Sequence, residues 1–120
     1  MNSLQVGEDL AAKGATAPRV ALQHMEDKIV YEHCFTVGEA ISHSTFAHPA
    51  PLDILTLCIL VLDNGWTLVG KSAPAAPENF NAEKGRIFAR EDALRQLWPL
   101  EGYALRERLA EQAQMQGDKA

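Results

Sequence analysis

No apolar run in this chain approaches the roughly 18 residues needed to cross a bilayer, so a helical membrane span is not expected. Basic charge is also scarce: 11 Lys and Arg stand against 16 Asp and Glu, for a formal net charge of −5. Non-specific affinity for polymeric nucleic acid comes mainly from neutralising phosphates, so that balance argues against a general DNA or RNA binder. Two cysteines in 120 residues cannot make a disulfide scaffold. Cys34 and Cys58 both sit among apolar neighbours, where a thiol acts as a small hydrophobe. His24, His33, His43 and His48 show neither a C-x-x-C nor an H-x-x-x-H spacing, and no metal site is expected from them. There is no phosphate-binding glycine loop, and no nucleophile is spaced with a base. Glu101 and Glu107 lie on a charged helical surface and read as solvated. The chain reads as a non-enzyme without a cofactor. Its start lacks the charged-then-apolar pattern of a secretion signal, so a cytoplasmic location is expected.

What is present suggests one small α+β domain. Residues 1–17 and 111–120 carry no sustained apolar stripe and read as flexible tails, leaving 18–110 as the folded body. Leu22, Met25, Ile29 and His33 follow helical spacing and predict an N-terminal helix over 22–33. A short extended piece follows around Phe35 to Val37. Two prolines and several small polar residues make 42–51 a loop.

From Ile54 to Leu62 only Thr56 interrupts an apolar run, which suits a strand better than a helix. Asn64-Gly65 predicts a two-residue type I′ turn and with it a central antiparallel hairpin or small sheet. In that register Val61 opposes Leu68 and Leu60 opposes Val69. Neither hairpin face is polar, so both should be covered, one by the chain's own helices and the other by a second copy. Asn81 is placed to cap a helix that runs to about Trp98 with Ile87, Leu94 and Leu97 or Trp98 inward. Pro99 then predicts a second helix to about Ala110, set at an angle to the first. Gly85 and Gly102 read as points of close backbone approach.

Leu55-Thr56-Leu57-Cys58, Asn64-Gly65-Trp66-Thr67, Gly70-Lys71-Ser72-Ala73, Pro77-Glu78-Asn79-Phe80, Gly85-Arg86 and Trp98-Pro99-Leu100-Glu101-Gly102-Tyr103 together resemble a small tailed-phage protein family, gene-product-forty-nine-like. The likeness runs from about Pro18 to Leu109. The layout is also similar to Thoeris anti-defence sponges, oligomers that bind cyclic ADP-ribose signals; some related sponges are associated with cyclic oligonucleotides. The resemblance implies a homo-oligomer in the host cytoplasm that sequesters a cyclic nucleotide without catalysis. It departs from the pattern at Asp92, where many relatives carry asparagine.

The residues suit such a ligand. Arg86 and Arg90 share a helix face and Arg106 lies on the expected second helix, so their planar forks can meet a pyrophosphate. Their simpler role is pairing with Glu83, Glu91 or solvent. Trp66 and Phe80 offer π faces for an adenine, with core packing as the competing role. Asn79 can read a base or ribose edge. The alternative function is a protein-binding inhibitor of a host factor, acting through the acidic surface or the apolar sheet face.

Overall fold

A computed structural model describes residues 3–14 and 17–118. Its order is α1 (Ser3–Gly14), α2 (Leu22–Glu26), β1 (Ile29–Thr36), α3 (Val37–Ala40), a 3-10 turn at Ala50–Ile54, β2 (Thr56–Leu62), β3 (Thr67–Ser72), a second 3-10 turn at Pro77–Asn79, and α4 (Ala82–Asp118). The three strands form one antiparallel sheet in the order β1-β2-β3. No helix of the described residues is long and apolar enough to cross a membrane. The α+β class and the central antiparallel pairing match what the residue pattern predicts.

Several boundaries differ from expectation. The N-terminal helix begins at Leu22, as expected, but stops at Glu26, and residues 29–36 become a strand. Ile29-Val30-Tyr31 and Cys34-Phe35-Thr36 are strand-favouring triplets. Pairing them with apolar β2 satisfies more backbone than an isolated turn of helix would. Leu22 and Met25 are buried on the helical stripe, whereas His33 lies on an exposed strand position. A bulge at Val30 lets Ile29 pair with Leu62 and Tyr31 with Val61.

The hairpin turn is longer by one residue than a type I′ turn. Gly65 N–H donates to Leu62 O and Leu62 N–H to Trp66 O, both at 2.9 Å. Gly65 alone has positive φ, at 87°, and Asn64 Oδ1 accepts from Trp66 N–H at 2.9 Å. This is a type I turn followed by a left-handed glycine. The extra residue moves β3 by one position, so Leu60 faces Leu68 and Val61 faces Thr67. A one-residue slip exchanges the faces. The inner face is therefore Cys58, Leu60, Leu62, Leu68 and Gly70, all buried. The outer face carries Tyr31, His33, Phe35, Leu57, Ile59, Val61, Thr67, Val69 and Lys71.

A single helix, α4, replaces the two expected at Pro99. Proline removes one helical hydrogen bond, but side chains on both sides of it are anchored to the same body. Leu97 is buried just before it, and Glu101 just after it lies 3.2 Å from His24 Nε2 and 3.7 Å from Lys28 Nζ. The buried stripe is Ala89, Ala93, Leu94 and Leu97; Ile87, expected inside, is 43% exposed. Alanines replace larger side chains because the helix lies directly on the strand. A Cβ added to Gly70 would stand 2.5 Å from Ala93 N and collide with Ala89 O. Gly85 also makes a close approach, 2.6 Å from its hypothetical Cβ to Thr56 Oγ1, while Gly102 has nothing within 4 Å.

The segments expected to be tails carry helix. Residues 111–118 extend α4, giving a molecule 69 × 31 × 20 Å, and α1 puts Leu4 into the core. Residues 1–2, 15–16 and 119–120, also assigned to those tails, lie outside the described residues. Glu8 ties α1 down: its carboxylate is 2.6 Å from Arg19 Nη2 and accepts from Leu22 N–H at 3.0 Å. The Arg19 hydrogen bond holds the Glu8 carboxyl below its ordinary value.

These anchors can be probed separately. Gly70→Val should destabilise the fold by about 3 kcal/mol through overpacking, whereas Gly102→Ala should stabilise it by about 0.5–1 kcal/mol, both read from urea unfolding. A carboxyl lowered on folding contributes stability above its unfolded value, 4.5 for Glu8, and loses it as pH falls through the lower folded value. The protection of the Leu22 amide against exchange, relative to its intrinsic rate at each pH, should fall over that acidic range, and Glu8→Gln should show the lower protection at neutral pH as well.

Candidate functional site

A depression with polar and apolar walls lies where α4 begins. Asn81 Oδ1 accepts from Lys84 N–H at 2.9 Å, which makes it the N-cap expected from the sequence. The preceding 3-10 turn brings Asn79 and Phe80 beside this helix end. Opposite them stand Ser72, Ala73 and Pro74 at the end of β3, with Ile54 and Thr56 at the start of β2. Lys84, Gly85 and Phe88 complete the wall of a cleft of about 210 Å³. An apolar hollow formed by Ala50, Pro51, Ala75 and Pro77 adjoins it, sharing Ile54, Ala73 and Pro74.

Thr56 decides the polarity of the floor. It is 2% exposed, and its Oγ1 has no hydrogen-bond partner among the described residues. A buried hydroxyl without a partner carries a desolvation cost. Gly85 makes the placement possible, since any side chain there would press on that oxygen. The cleft thus combines two aromatic rings, amides from Asn79 and Asn81, the Lys84 ammonium, and the positive end of a 37-residue helix. Such a set favours a planar, anionic small molecule.

Of the six candidate residues drawn from the sequence, Asn79 and Phe80 meet in this cleft. Arg86 is one wall away, in a narrow recess with Cys34, Thr36, Glu39 and Thr56; Thr56 borders both spaces. Arg90 shares its face of α4 but is engaged elsewhere. Its Nε lies 2.8 Å from Glu32 Oε1 and its Nη1 3.3 Å from Glu26 Oε1. Burial opposes the Arg90 charge, yet these two carboxylates outweigh it and raise the guanidinium above its ordinary value. The partners come from α2 and β1 rather than from the helical neighbours Glu83 and Glu91. Arg106 is twenty residues beyond Arg86, roughly 30 Å along the helix. Trp66 sits at the hairpin turn, 55% exposed, at the other end of β2 and β3 from Phe80. One chain therefore does not assemble the three arginines and two aromatics around a common space.

Thr56, Ser72, Lys84 and Phe88 are site residues that the sequence pattern does not single out. Thr56 has a visible signal, as the one polar residue in the apolar run from Ile54 to Leu62. Lys84 follows a recognisable N-cap, but nothing local indicates that the cap faces a strand end. Asp92 supports the sheet edge, where its Oδ2 accepts from Lys71 N–H at 2.9 Å. Gln96, one turn later, donates to Val69 O at 2.8 Å. Together they satisfy outward-facing backbone groups of edge strand β3.

Replacing the Thr56 hydroxyl by a methyl in Thr56→Val should raise ligand-free stability by about 1 kcal/mol. An increased urea midpoint at unchanged slope would show this, whereas a fall would mean that the hydroxyl has an intramolecular partner.

No curated protein and no solved structure matches the chain. The family model described as phage protein (N4 Gp49/phage Sf6 gene 66) matches residues 20–109, from α2 through the sheet to the second half of α4. That span is well over half of the chain and contains the cleft, so the protein belongs to the phage N4 Gp49/phage Sf6 gene 66 family.

Proposed function

We propose that this phage protein captures a cyclic nucleotide signal of host defence and holds it without turnover. The observation that carries the reading is the unpartnered Thr56 hydroxyl in the floor of a cleft at the start of α4. A ligand oxygen or nitrogen there would satisfy the hydroxyl, while Lys84 and the helix end attract a phosphate. Phe80 and Phe88 offer surfaces on which a base can stack. Sequestration needs affinity alone, so the reading places no demand on a nucleophile or a general base.

Arg106 and Trp66 can join this cleft only from a second copy. The outer face of the sheet supports self-association, because Tyr31 and Val69 are 58% and 50% exposed beside half-buried Ile59 and Val61. The same surface favours the second reading, in which the chain inhibits a host protein by docking on it. Sedimentation separates the two: self-association gives a homo-oligomer of the isolated chain, and the inhibitor reading gives a monomer that binds no nucleotide.

Titration with cyclic ADP-ribose isomers and cyclic oligonucleotides tests the main reading, with mass spectrometry of the released ligand. The expected result is saturable binding with the nucleotide recovered unchanged. Phe80→Ala and Lys84→Ala should each weaken it about 10-fold, the scale of one lost stacking or charged contact. Arg106→Ala should weaken it too if the site is shared between copies. Full affinity in both cleft variants would reject the cleft, and recovery of an altered nucleotide would reject simple capture.

A further inference from the structure

A separate cluster lies beneath Arg90. Cys34 on β1 and Cys58 on β2 are direct register partners, and Glu32 is two residues from Cys34 on the same face of its strand. One ligand atom from each of Glu32, Cys34 and Cys58 lies within 4.8 Å of the other two. Both cysteines are free thiols. From this geometry we infer that Glu32, Cys34 and Cys58 form a binding site for a thiophilic divalent cation of the zinc class.

The donors suit such an ion. Zinc–sulfur bonds of about 2.3 Å and zinc–oxygen bonds of about 2.1 Å in a tetrahedron put ligands roughly 3.4–3.8 Å apart. Drawing the three atoms together by about 1 Å is within the reach of side-chain rotation. Two thiols and one carboxylate leave the fourth position to a water molecule. Cys34 also lines the narrow recess beside Glu39 and Arg86, which provides the approach from solvent.

Charge is matched as well. Binding replaces two thiol protons, released to solvent, by one divalent ion; two thiolates and the Glu32 carboxylate then leave the centre with a single negative charge. Arg90 already donates to Glu32 Oε1 at 2.8 Å, so its positive charge stands beside that centre. The other carboxylate oxygen of Glu32 is left for the cation. Arg90 would thereby act as a positioning residue, orienting the carboxylate as outer partners of metal ligands do.

The inference is independent of nucleotide capture and is tested without any nucleotide. Reduced, full-length protein is titrated with cadmium as a probe for zinc, following the ultraviolet charge-transfer band of cadmium–thiolate bonds, with zinc competition and equilibrium dialysis for stoichiometry. One ion per chain, displaced by zinc, is expected. Cys34→Ser should weaken binding at least 100-fold, and Glu32→Gln about 10-fold with the band retained. Cys34 is only partly buried, so its serine variant keeps the test valid if Cys58→Ser does not fold. No thiolate band at one equivalent of cadmium, or equal binding by Cys34→Ser, would overturn the inference. A Cys34–Cys58 disulfide that persists under the reducing conditions of the titration would overturn it equally.

Discussion

The structure depends on one close contact, that of the α4 backbone with β3 at Gly70. A strand normally holds a helix off by the length of its side chains. Here Gly70 contributes none, and Ala89 and Ala93 contribute one carbon each, so the helix rests on the ribbon itself. That approach determines how far every other residue of α4 lies from the sheet. It brings Leu94 and Leu97 into the core, Asp92 and Gln96 to the β3 edge, and Gly85 onto Thr56. Dispersion and burial gain from such packing, but only with a close fit of shapes.

The candidate site is a by-product of the same approach. With α4 this low, its first turn meets the open ends of β2 and β3, and the proline-bounded connection from Ala73 to Phe80 must wrap around the gap. The cleft consequently has a floor of strand, a wall of helix start and a rim of loop. Arg90 is drawn the other way, toward α2 and β1, where Glu26 and Glu32 hold it beside the thiol pair. A single helix face therefore serves two regions of different chemistry.

Much of this is legible from residue order, and what is not has identifiable causes. The apolar run with Asn64-Gly65 announces the hairpin, and Asn81 announces the start of α4. The turn register is ambiguous because Asn-Gly suits two turn families, and only the hydrogen bond from Gly65 to Leu62 distinguishes them. A helix over 22–33 is too long because 3–4 spacing persists by chance through a segment whose side chains favour strand. Pro99 suggests a break because its lost hydrogen bond is local, while the Glu101 contacts that hold the helix together come from 73 and 77 residues earlier in the chain. For the site, Asn79 and Phe80 are visible as a loop entering a helix. Convergence of the arginines is not decidable, since charge at helical spacing says nothing about the carboxylates opposite. Nor does the order of residues from Cys34 to Cys58 reveal that the two face each other, because that proximity arises only when β1 replaces the end of a helix.

The side chains of Asp92 and Gln96 have a wider consequence. By occupying Lys71 N–H and Val69 O on the outer edge of β3, they take two of the backbone groups with which an incoming strand would pair. Among the described residues, no strand lies on the far side of β1. An incoming strand would have to displace both side chains to pair along β3. A carboxylate and an amide one helical turn apart thus stand against edge-to-edge pairing along β3, the hazard of exposed ribbons.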